Sequence, residues 1–287
     1  MEPTPQDTAD RSLRHWSEAG QRTFDAFYTL ATQDYRELSA AIDWPALLSQ
    51  QARDGHVRLL DVACGSGKFP AALLADGLAE RFDGGAIDVD LLDPSTYSLA
   101  AARAVLTEPF RAVDDLAIGV EERGADRGPY DLAWATHALY AVPPEVLDDG
   151  IARMSAALRP GGLGVVAHAT SRSHYLAVYE AYRAAHAPQA TPYTTAEQVA
   201  ASIAATGAVP EITVVRYRTG TTDDAVAEGF LQRCLFDDTL GLDTMRAPGP
   251  LGSQLADYLA GCHGPDGWWF DHDVHLITWQ RGTGTTI

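Results

Sequence analysis

The sequence predicts an α/β fold with a doubly wound sheet, and three observations lead to it. A strand-like run that ends in Asp61 is followed by a loop of small residues and by the helix-like run 71–74. A second strand-like run ends in another acid, Asp93, about twenty-five residues after that loop. A further apolar run, 130–136, precedes a Pro-Gly-Gly turn and one more strand-like run. Strands that alternate with helices are typical of a parallel sheet covered on both faces.

The chain before the first strand has a helical pattern. Apolar residues between 11 and 51 fall mostly on one face of a helix, and Pro45 favours the start of a short helix. Tyr28 and Tyr35 belong to this segment. Aromatic side chains at helical spacing lie more often in a core than in a pocket, so both interpretations stay open for these two tyrosines.

The loop after the first strand predicts a ligand site. A strand, a glycine loop and a helix N-terminus together bring backbone N–H groups to a ligand. Gly65 and Gly67 allow the main chain to come close where a Cβ atom would collide. The dinucleotide fingerprint G-x-G-x-x-G fails because Pro70 replaces its third glycine, and the phosphate loop G-x-x-x-x-G-K-S/T fails because Phe69 replaces its hydroxyl residue.

The second strand ends in an acid that is suited to a ribose. Asp93 follows the strand-like run that begins at Ala86, and an acid at this place in nucleotide-binding α/β folds accepts hydrogen bonds from ribose hydroxyls. Ser95 is placed to cap the next predicted helix, 96–106. Asp88 and Asp90 lie earlier on the strand and are interpreted as exposed charges.

The loop after the fourth strand offers two polar side chains to the same edge of the sheet. His137 and Tyr140 follow the run 130–136, and strand ends in an open α/β sheet point into the ligand crevice. A histidine has an unperturbed pKa near neutrality, so His137 is a candidate general base. The alternative is a structural polar pair at the start of the next helix.

The rest of the chain predicts the remaining elements of the sheet and two insertions. The third strand is poorly defined, with 110–113 and 116–120 as candidates. In the insertion at about 171–193, three tyrosines recur on one helix face, Tyr175, Tyr179 and Tyr182; His168 and His174 lie close by in sequence. A second insertion falls at about 222–265. The other predicted elements are helices at 146–158, 195–206, 223–236 and 251–262 and strands at 161–169, 212–218 and 268–279.

Composition excludes several classes of function. The 287 residues carry 21 Lys and Arg against 39 Asp and Glu, a net charge of −18, which argues against nucleic acid and anionic membranes as partners. The chain has no long apolar run, no signal-peptide pattern and three widely spaced cysteines, so it is expected in the reducing cytoplasm. His272, Asp273 and His275 do not share one strand face, so no metal site is predicted.

The glycine loop resembles a motif of class I S-adenosylmethionine (SAM)-dependent methyltransferases. Residues 61–67 fit the pattern D-x-G/A-x-G-x-G, with Ala63 in place of the usual first glycine. Asp93, the strand 130–136 and the Leu-x-Pro-Gly-Gly turn at 158–162 follow in the order of that family. The resemblance implies a Rossmann-like, seven-stranded, mostly parallel sheet with an antiparallel last strand. It also implies an N-terminal helical lid at 1–50 over a SAM-binding domain at 51–287.

The same resemblance assigns candidate residues to the site. An acid near the third strand is expected at the adenine, where Asp114, Asp115 and Glu121 are all available and Asp115 is chosen. The candidate catalytic residues are His137, Tyr140 and His174. The candidate substrate-binding residues are Tyr28, Tyr140, Tyr175 and Tyr179. The candidate cofactor-binding residues are Asp61, Ala63, Gly65, Gly67, Asp93, Pro94, Ser95, Asp115, Thr136 and His137.

The layout as a whole is most similar to histamine N-methyltransferase and related small-amine enzymes. This similarity implies methyl transfer from SAM, with S-adenosylhomocysteine (SAH) as product, to a small molecule, most simply a nitrogen of an amine or heterocycle in secondary metabolism. A monomer or homodimer is expected. The alternatives are an enzyme that cyclises SAM itself and releases methylthioadenosine, an O- or C-methyltransferase of natural-product biosynthesis, and a protein that binds SAM without turnover.

Overall fold

One mixed sheet organises the protein in a computed structural model that describes residues 6–15, 24–122 and 127–282. Its strands are β1 (His56–Val62), β2 (Ala86–Leu92), β3 (Phe110–Leu116), β4 (Tyr130–Thr136), β5 (Leu158–Ala169), β6 (Glu211–Thr221), β7 (His263–Gly264) and β8 (Gly267–Gln280). The strand order is β3-β2-β1-β4-β5-β8-β6, and the short β7 pairs with β8. Strands β1 to β5 pair in parallel, whereas β8 is antiparallel to both β5 and β6. The predicted doubly wound sheet with an antiparallel last strand is confirmed.

Helices cover both faces of this sheet and the ends of its strands. They are α1 (Gln6–His15), α2 (Phe24–Ala41), α3 (Trp44–Gln51), α4 (Lys68–Ala75), α5 (Leu78–Arg81), α6 (Thr96–Val105), α7 (Pro144–Ala157), α8 (His174–His186), α9 (Ala196–Ala205), α10 (Asp224–Leu235), α11 (Leu242–Met245) and α12 (Gln254–Gly261). In the part of the chain that the structure describes, no helix is both long and apolar enough to cross a membrane.

Side-chain caps fix where several of these helices begin. The Ser95 hydroxyl accepts a hydrogen bond from the Ser98 amide at 3.2 Å, as its predicted place before α6 requires. Thr195 and Gln198 form a capping box at the start of α9. Asp43 accepts from the Ala46 amide and starts α3, with Pro45 in its first turn. Local sequence therefore determines these boundaries.

The region of the third strand differs from the prediction. A single strand, β3, runs from Phe110 to Leu116, where two short candidates were considered. It is the edge strand of the sheet, and only its two end residues, Phe110 and Leu116, are buried, so its sequence lacks a clear apolar alternation. Its pairing with β2 also shifts register between Val89 and Leu91. The two-residue strand β7 was not predicted. The predicted frayed tail lies almost entirely outside the described residues.

The core lies on the two faces of the parallel strands, and β4 is buried along its whole length. Trp134 of β4 packs edge-on against Trp44 of α3 and Phe69 of α4, at ring-centroid distances of 6.3 and 5.0 Å. On the opposite face, Ala133 and Ala135 pack with α7 and α9 residues. A third cluster of side chains joins α2, α8, α10 and α12 beyond the strand ends and forms the far wall of the site described below.

Replacing Trp134 by alanine should lower the free energy of unfolding by about 3–5 kcal/mol, because the large buried ring leaves a cavity between α3, α4 and the sheet. The matched control is Leu251→Ala, a large-to-small change at a side chain that is 56% exposed, which should cost less than about 0.5 kcal/mol. Denaturant titration of both variants measures the difference. Equal midpoints would contradict this account of the core.

Candidate functional site

A cavity of about 320 Å³ opens at the carboxyl ends of β1, β2 and β4. The loops after these three strands form one side of it, and α1, α2, α8 and α10 supply side chains to the other. Of the residues chosen from the sequence, ten line it: Tyr28, Asp61, Ala63, Gly65, Asp93, Pro94, Thr136, His137, Tyr140 and Tyr175. The sequence prediction of a site at this edge therefore corresponds to a real cavity.

The two loop glycines have different structural roles. Both adopt left-handed backbone angles, with φ of +53° at Gly65 and +70° at Gly67. A Cβ atom added to Gly65 would meet no atom within 4 Å, so this residue leaves open space beside the cavity. A Cβ atom on Gly67 would lie 2.5 Å from Val105 Cγ2 and 3.1 Å from Ala102 Cα. Gly67 does not line the cavity and instead allows the loop to pack against α6.

Two non-glycine residues at the cavity also have left-handed backbone angles. Ala63 after β1 has φ of +49°, and His137 after β4 has φ of +51°. Such a conformation costs a residue with a Cβ atom about 1–2 kcal/mol. Strained residues of this kind cluster where a site requires a particular main-chain course, and both of these stand at strand ends that line the cavity.

Asp93 connects the loops after β1 and β2. Its Oδ2 accepts a hydrogen bond from the Gly65 amide at 3.0 Å, and its Oδ1 accepts from the Ser95 amide at 2.8 Å. Burial raises the pKa of the carboxyl group, while the two amide hydrogen bonds act to lower it. Ser95 does not line the cavity, and its hydroxyl caps α6. Asp93 is thus held rigidly at the cavity wall, where a ribose would meet it.

Asp61 presents a buried oxygen to the cavity. The residue is 3% exposed, and among the described residues its Oδ2 accepts no hydrogen bond. Burial raises its pKa to about 8, with the neighbouring Trp134 indole lowering it and the Asp93 charge raising it further. An orphaned carboxylate oxygen and the open side of Gly65 are features that a cofactor with donor groups would complete. These residues fit the amino-acid and nucleoside parts of SAM.

The structure corrects the choice of Asp115 for the adenine. Its carboxylate forms an ion pair with Arg103 at 2.7 Å and lies outside the cavity. Asp114 pairs with Arg127 at 3.5 Å. Of the three acids considered, Glu121 alone lines the cavity, in the loop after β3. Sequence distance from the strand could not separate these acids, because the length of β3 decides which of them reaches the pocket.

Aromatic side chains enclose the half of the cavity that lies away from Asp93. Tyr28 joins this end to the glycine loop, since its hydroxyl lies 3.1 Å from Ser66 Oγ and Lys68 Nζ lies 4.3 Å from its ring centroid. The ring centroids of Tyr140 and Tyr175 are 5.9 Å apart. Tyr35 and Tyr193 complete the enclosure. We call the five tyrosines, 28, 35, 140, 175 and 193, the aromatic end.

His137 is a neutral hydrogen-bonding group at the junction of the two halves. Its Nδ1 lies 2.7 Å from the Tyr140 hydroxyl, and its buried Nε2 has no partner among the described residues. Burial lowers its pKa to about 3, and the nearby His168 and His272 lower it further. An imidazole with so low a pKa is a poor general base at neutral pH. The structure therefore favours an orienting role over the proton transfer considered from the sequence.

Three further candidates lie outside the cavity. His174 is paired through Nδ1 with the Tyr258 hydroxyl at 2.9 Å. The Tyr179 hydroxyl bonds Thr8 and accepts from Arg11, while its ring stacks on Tyr193. His168, considered with them, lies 2.9 Å through Nε2 from the Thr194 carbonyl oxygen. Their contacts join α8 to α1 and α12, and β5 to the loop before α9, so the structure supports structural roles for all three.

Sequence reasoning missed Asp34 and Arg233, two buried charged residues of the cavity. Asp34 is 2% exposed and Arg233 is 1% exposed. Burial lowers the pKa of the Arg233 guanidinium to about 10, although Tyr28 and Asp238 act to raise it. A signal existed for Asp34, because it falls on the apolar stripe of α2 with Phe27 and Leu38, where an acid is unexpected.

Comparison with known proteins agrees with this geometry. Residues 60–163 match a family model described as a methyltransferase domain. A proposed methyltransferase from Bacillus halodurans is 13% identical to this chain, with a TM-score of 0.57. The match covers 84% of this chain and 99% of the Bacillus protein. Magnesium protoporphyrin IX methyltransferase from Synechocystis, solved with bound SAH, is 11% identical with a TM-score of 0.52. The match covers 94% of this chain and 99% of the Synechocystis protein. No curated protein matches the chain.

Residues 60–163 thus form a methyltransferase domain, and the surrounding sheet has the fold of class I enzymes. Within the described ranges, no group of three His, Cys, Asp or Glu side chains is arranged to hold a metal ion.

Replacing Asp93 by alanine should weaken SAM binding by about 1–3 kcal/mol, the cost of losing hydrogen bonds to a charged acceptor. The matched control is Asp88→Ala on β2, the strand that precedes Asp93; the Asp88 carboxylate pairs with Arg111 at the surface and does not line the cavity. Calorimetric titration of both variants with SAM provides the comparison. Equal affinity of the Asp93 variant and the wild type would contradict the ribose assignment.

Alanine at the two loop glycines should separate binding from stability. Gly67→Ala should lower the unfolding free energy by more than about 2 kcal/mol, since left-handed strain adds to the collision with α6. Gly65→Ala should cost about 1–2 kcal/mol of strain alone, while its methyl group beside the cavity reduces SAM affinity. Thermal unfolding and SAM titration test both variants. Similar losses of stability in the two would show that the contact with α6 is unimportant.

Proposed function

We propose that the protein methylates a nitrogen atom of a small molecule held in the aromatic end of the cavity. The observation that carries this proposal is the charge of the lining. Among the described lining residues only Lys68 and Arg233 are basic. The acidic ones are Asp10, Asp34, Asp61, Asp93, Glu121 and Glu122.

This balance of charge favours a nitrogen acceptor over a hydroxyl acceptor. Methyl transfer to an amine nitrogen produces a cation, which nearby carboxylates stabilise in a site of low dielectric constant. Methyl transfer to a hydroxyl is helped by ionisation of that hydroxyl, and a second negative charge beside buried carboxylates is disfavoured. The low pKa of His137 leaves no imidazole suited to removing a hydroxyl proton. Nitrogen is therefore the acceptor that these residues suit best.

The contribution of the protein to the reaction is mainly positioning and exclusion of water. SAM supplies a methyl group already activated by its positively charged sulfur. The loop 63–67, with Asp61 and Asp93, holds the cofactor side of the cavity. The aromatic end holds the acceptor in a dry pocket, where orientation replaces a search in solution. His137 and Tyr140 lie between the two halves and orient the acceptor.

The wider assignment follows from the same charges and from the predicted layout. The net charge of −18 suits a small cationic or neutral partner rather than nucleic acid or an anionic membrane. We infer that the acceptor is an amine or heterocycle of secondary metabolism. We also infer that residues 1–50 form a lid over a domain at 51–287. The protein is inferred to be a monomer or homodimer in the cytoplasm. Helices α1 and α2 support the lid, since Asp10 and Tyr28 line the cavity from it.

Incubation with SAM and a panel of small amines should yield SAH only when an acceptor is present. Mass spectrometry of the nucleoside product, with a deuterium-labelled methyl group on SAM, identifies both SAH and the labelled product. The Asp93→Ala variant should be slower at limiting SAM, whereas Asp88→Ala should match the wild type. Methylthioadenosine formed without any acceptor, above the nonenzymatic rate, would establish the cyclising alternative, and label transfer only to hydroxyl compounds would contradict a nitrogen acceptor.

A further inference from the structure

The inner wall of the aromatic end contains one carboxyl group, that of Asp34. The residue lies on α2 between Phe27 and Leu38, both of which are buried apolar side chains on the same stripe. Asp34 itself is 2% exposed and lines the cavity. Burying an acid on an apolar helix face costs free energy unless a partner stabilises it, so its place at a cavity calls for a ligand.

The hydrogen bonding of Asp34 is half complete. The Tyr175 hydroxyl of α8 donates to Oδ2 at 2.5 Å. Its other oxygen, Oδ1, is buried and has no hydrogen-bond partner within the part of the chain that the structure describes. No arginine or lysine of these residues lies within ion-pair distance of the carboxylate. Tyr175 thus orients one oxygen, and the Tyr217 hydroxyl lies near the carboxyl group without completing a hydrogen bond among the described residues, so the other oxygen can accept from a ligand.

The titratable groups that face Asp34 are all neutral at physiological pH. They are Tyr35 on α2, Tyr140 after β4, Tyr175 on α8, Tyr217 on β6 and Cys234 on α10. Burial raises the pKa of each of these five groups above its usual value. His137 and His272, which contact Tyr175, are neutral because burial lowers the pKa of each to about 3.

The same surroundings shift the pKa of the Asp34 carboxyl group. Burial raises the pKa of Asp34 to about 7, while the Tyr175 and Tyr217 hydroxyls act to lower it. Near neutrality the group therefore exchanges between its charged and uncharged forms, as a general base should. The tyrosine rings around Asp34 also favour a cationic ligand, since the faces of tyrosine rings attract cations.

We propose that Asp34 binds the acceptor as an ammonium ion and removes its proton through the unpartnered Oδ1, with Tyr175 as the positioning residue. The inference rests on the proposed nitrogen acceptor and narrows it to a basic aliphatic amine, which is protonated in water. Such an amine has no free electron pair when it enters the cavity, so a proton acceptor inside is a requirement of the reaction.

The proposed step conserves atoms and charge. An N–H bond of the ammonium group breaks, its electron pair stays on nitrogen, and the proton forms an O–H bond with Asp34. The freed pair then forms the N–C bond to the methyl carbon as the C–S bond breaks, and the electrons of that bond remain on sulfur in SAH. The methylated amine leaves as a cation, and the Asp34 proton passes to solvent when the product departs.

A buried carboxylate also selects against uncharged analogues. An alcohol of the same shape offers one weaker donor and no positive charge to Oδ1. Sites built to pair with a polar group discriminate strongly against ligands that lack it, because the buried partner stays unsatisfied. The preference for amine over alcohol should disappear when the charge of Asp34 is removed.

The test uses three variants of the full chain. Asp34→Asn keeps the shape and removes the charge, Tyr175→Phe removes the orienting hydroxyl, and Asp271→Asn is the control, since Asp271 pairs with Arg218 at the surface. Initial rates of SAH formation with arylalkyl primary amines are measured from about two pH units below to two above neutrality. Calorimetry with SAH present compares the binding of each amine with that of the alcohol of the same shape.

For the wild type we expect kcat/KM to rise with pH through about 7, as Asp34 loses its proton. Asp34→Asn should lower kcat/KM by roughly 100-fold, abolish this rise and remove the amine preference in calorimetry. Tyr175→Phe should move the rise to higher pH, because the lost hydrogen bond lowered the pKa of Asp34. Asp271→Asn should match the wild type in both assays.

The outcomes separate this inference from the function on which it rests. Wild-type label transfer to amines, with an unchanged pH profile and amine preference in Asp34→Asn, would overturn the role of Asp34 and leave the proposed function standing. Absence of amine methylation by the wild type would overturn both. If Asp34→Asn does not fold, as judged by thermal unfolding, a Tyr175→Phe profile identical to the wild type would overturn the inference.

Discussion

The two hydrogen bonds that Asp93 accepts determine the form of the whole site. One comes from the Gly65 amide after β1 and the other from the Ser95 amide after β2. A single carboxylate thereby ties the loops of two neighbouring strands, and Ser95 passes the constraint on to α6 through its cap. Gly67 completes the arrangement by allowing the loop to approach that helix closely. The cofactor side of the cavity is therefore rigid before a ligand arrives, which lowers the ordering cost of binding.

The opposite side of the cavity is built by a different principle. Helices α2, α8 and α10 contribute tyrosines and two buried charged residues, Asp34 and Arg233, from positions far apart in the chain. These helices pack on one another and on β5 and β8 through the third hydrophobic cluster. One fold can keep its cofactor loop while the helices over the strand ends vary. In the function proposed here, the aromatic rings and Asp34 of this helical layer select the acceptor.

The sequence predicted what depends on local geometry. The glycine loop, the Ser95 cap and the strand β4 follow from short patterns, the antiparallel last strand follows from the family resemblance, and the structure confirms each of them. It could not distinguish Asp115 from Glu121, because the length of β3 decides which acid reaches the cavity. His174 and Tyr179 were chosen for their place in the insertion after β5, whereas tertiary packing gives each a partner outside the cavity. Asp34 was missed although its place on an apolar stripe was visible.

The buried acids of the cavity lower the stability of the protein without ligands, and cationic ligands offset this loss. The folded-state pKa values of Asp34 and Asp61, about 7 and about 8, lie above the unfolded value near 3.8. Between the unfolded pKa near 3.8 and the folded pKa values, the folded state therefore binds more protons than the unfolded state. The stability that Asp34 and Asp61 contribute is fully present below about pH 4 and is lost as pH rises through about 7 to 8. A bound cation favours the charged carboxylates and recovers part of that loss. Cofactor, acceptor and proton are thus coupled through the same two side chains, so bound cations should stabilise the fold most above neutral pH, where the contribution of these two groups has been lost.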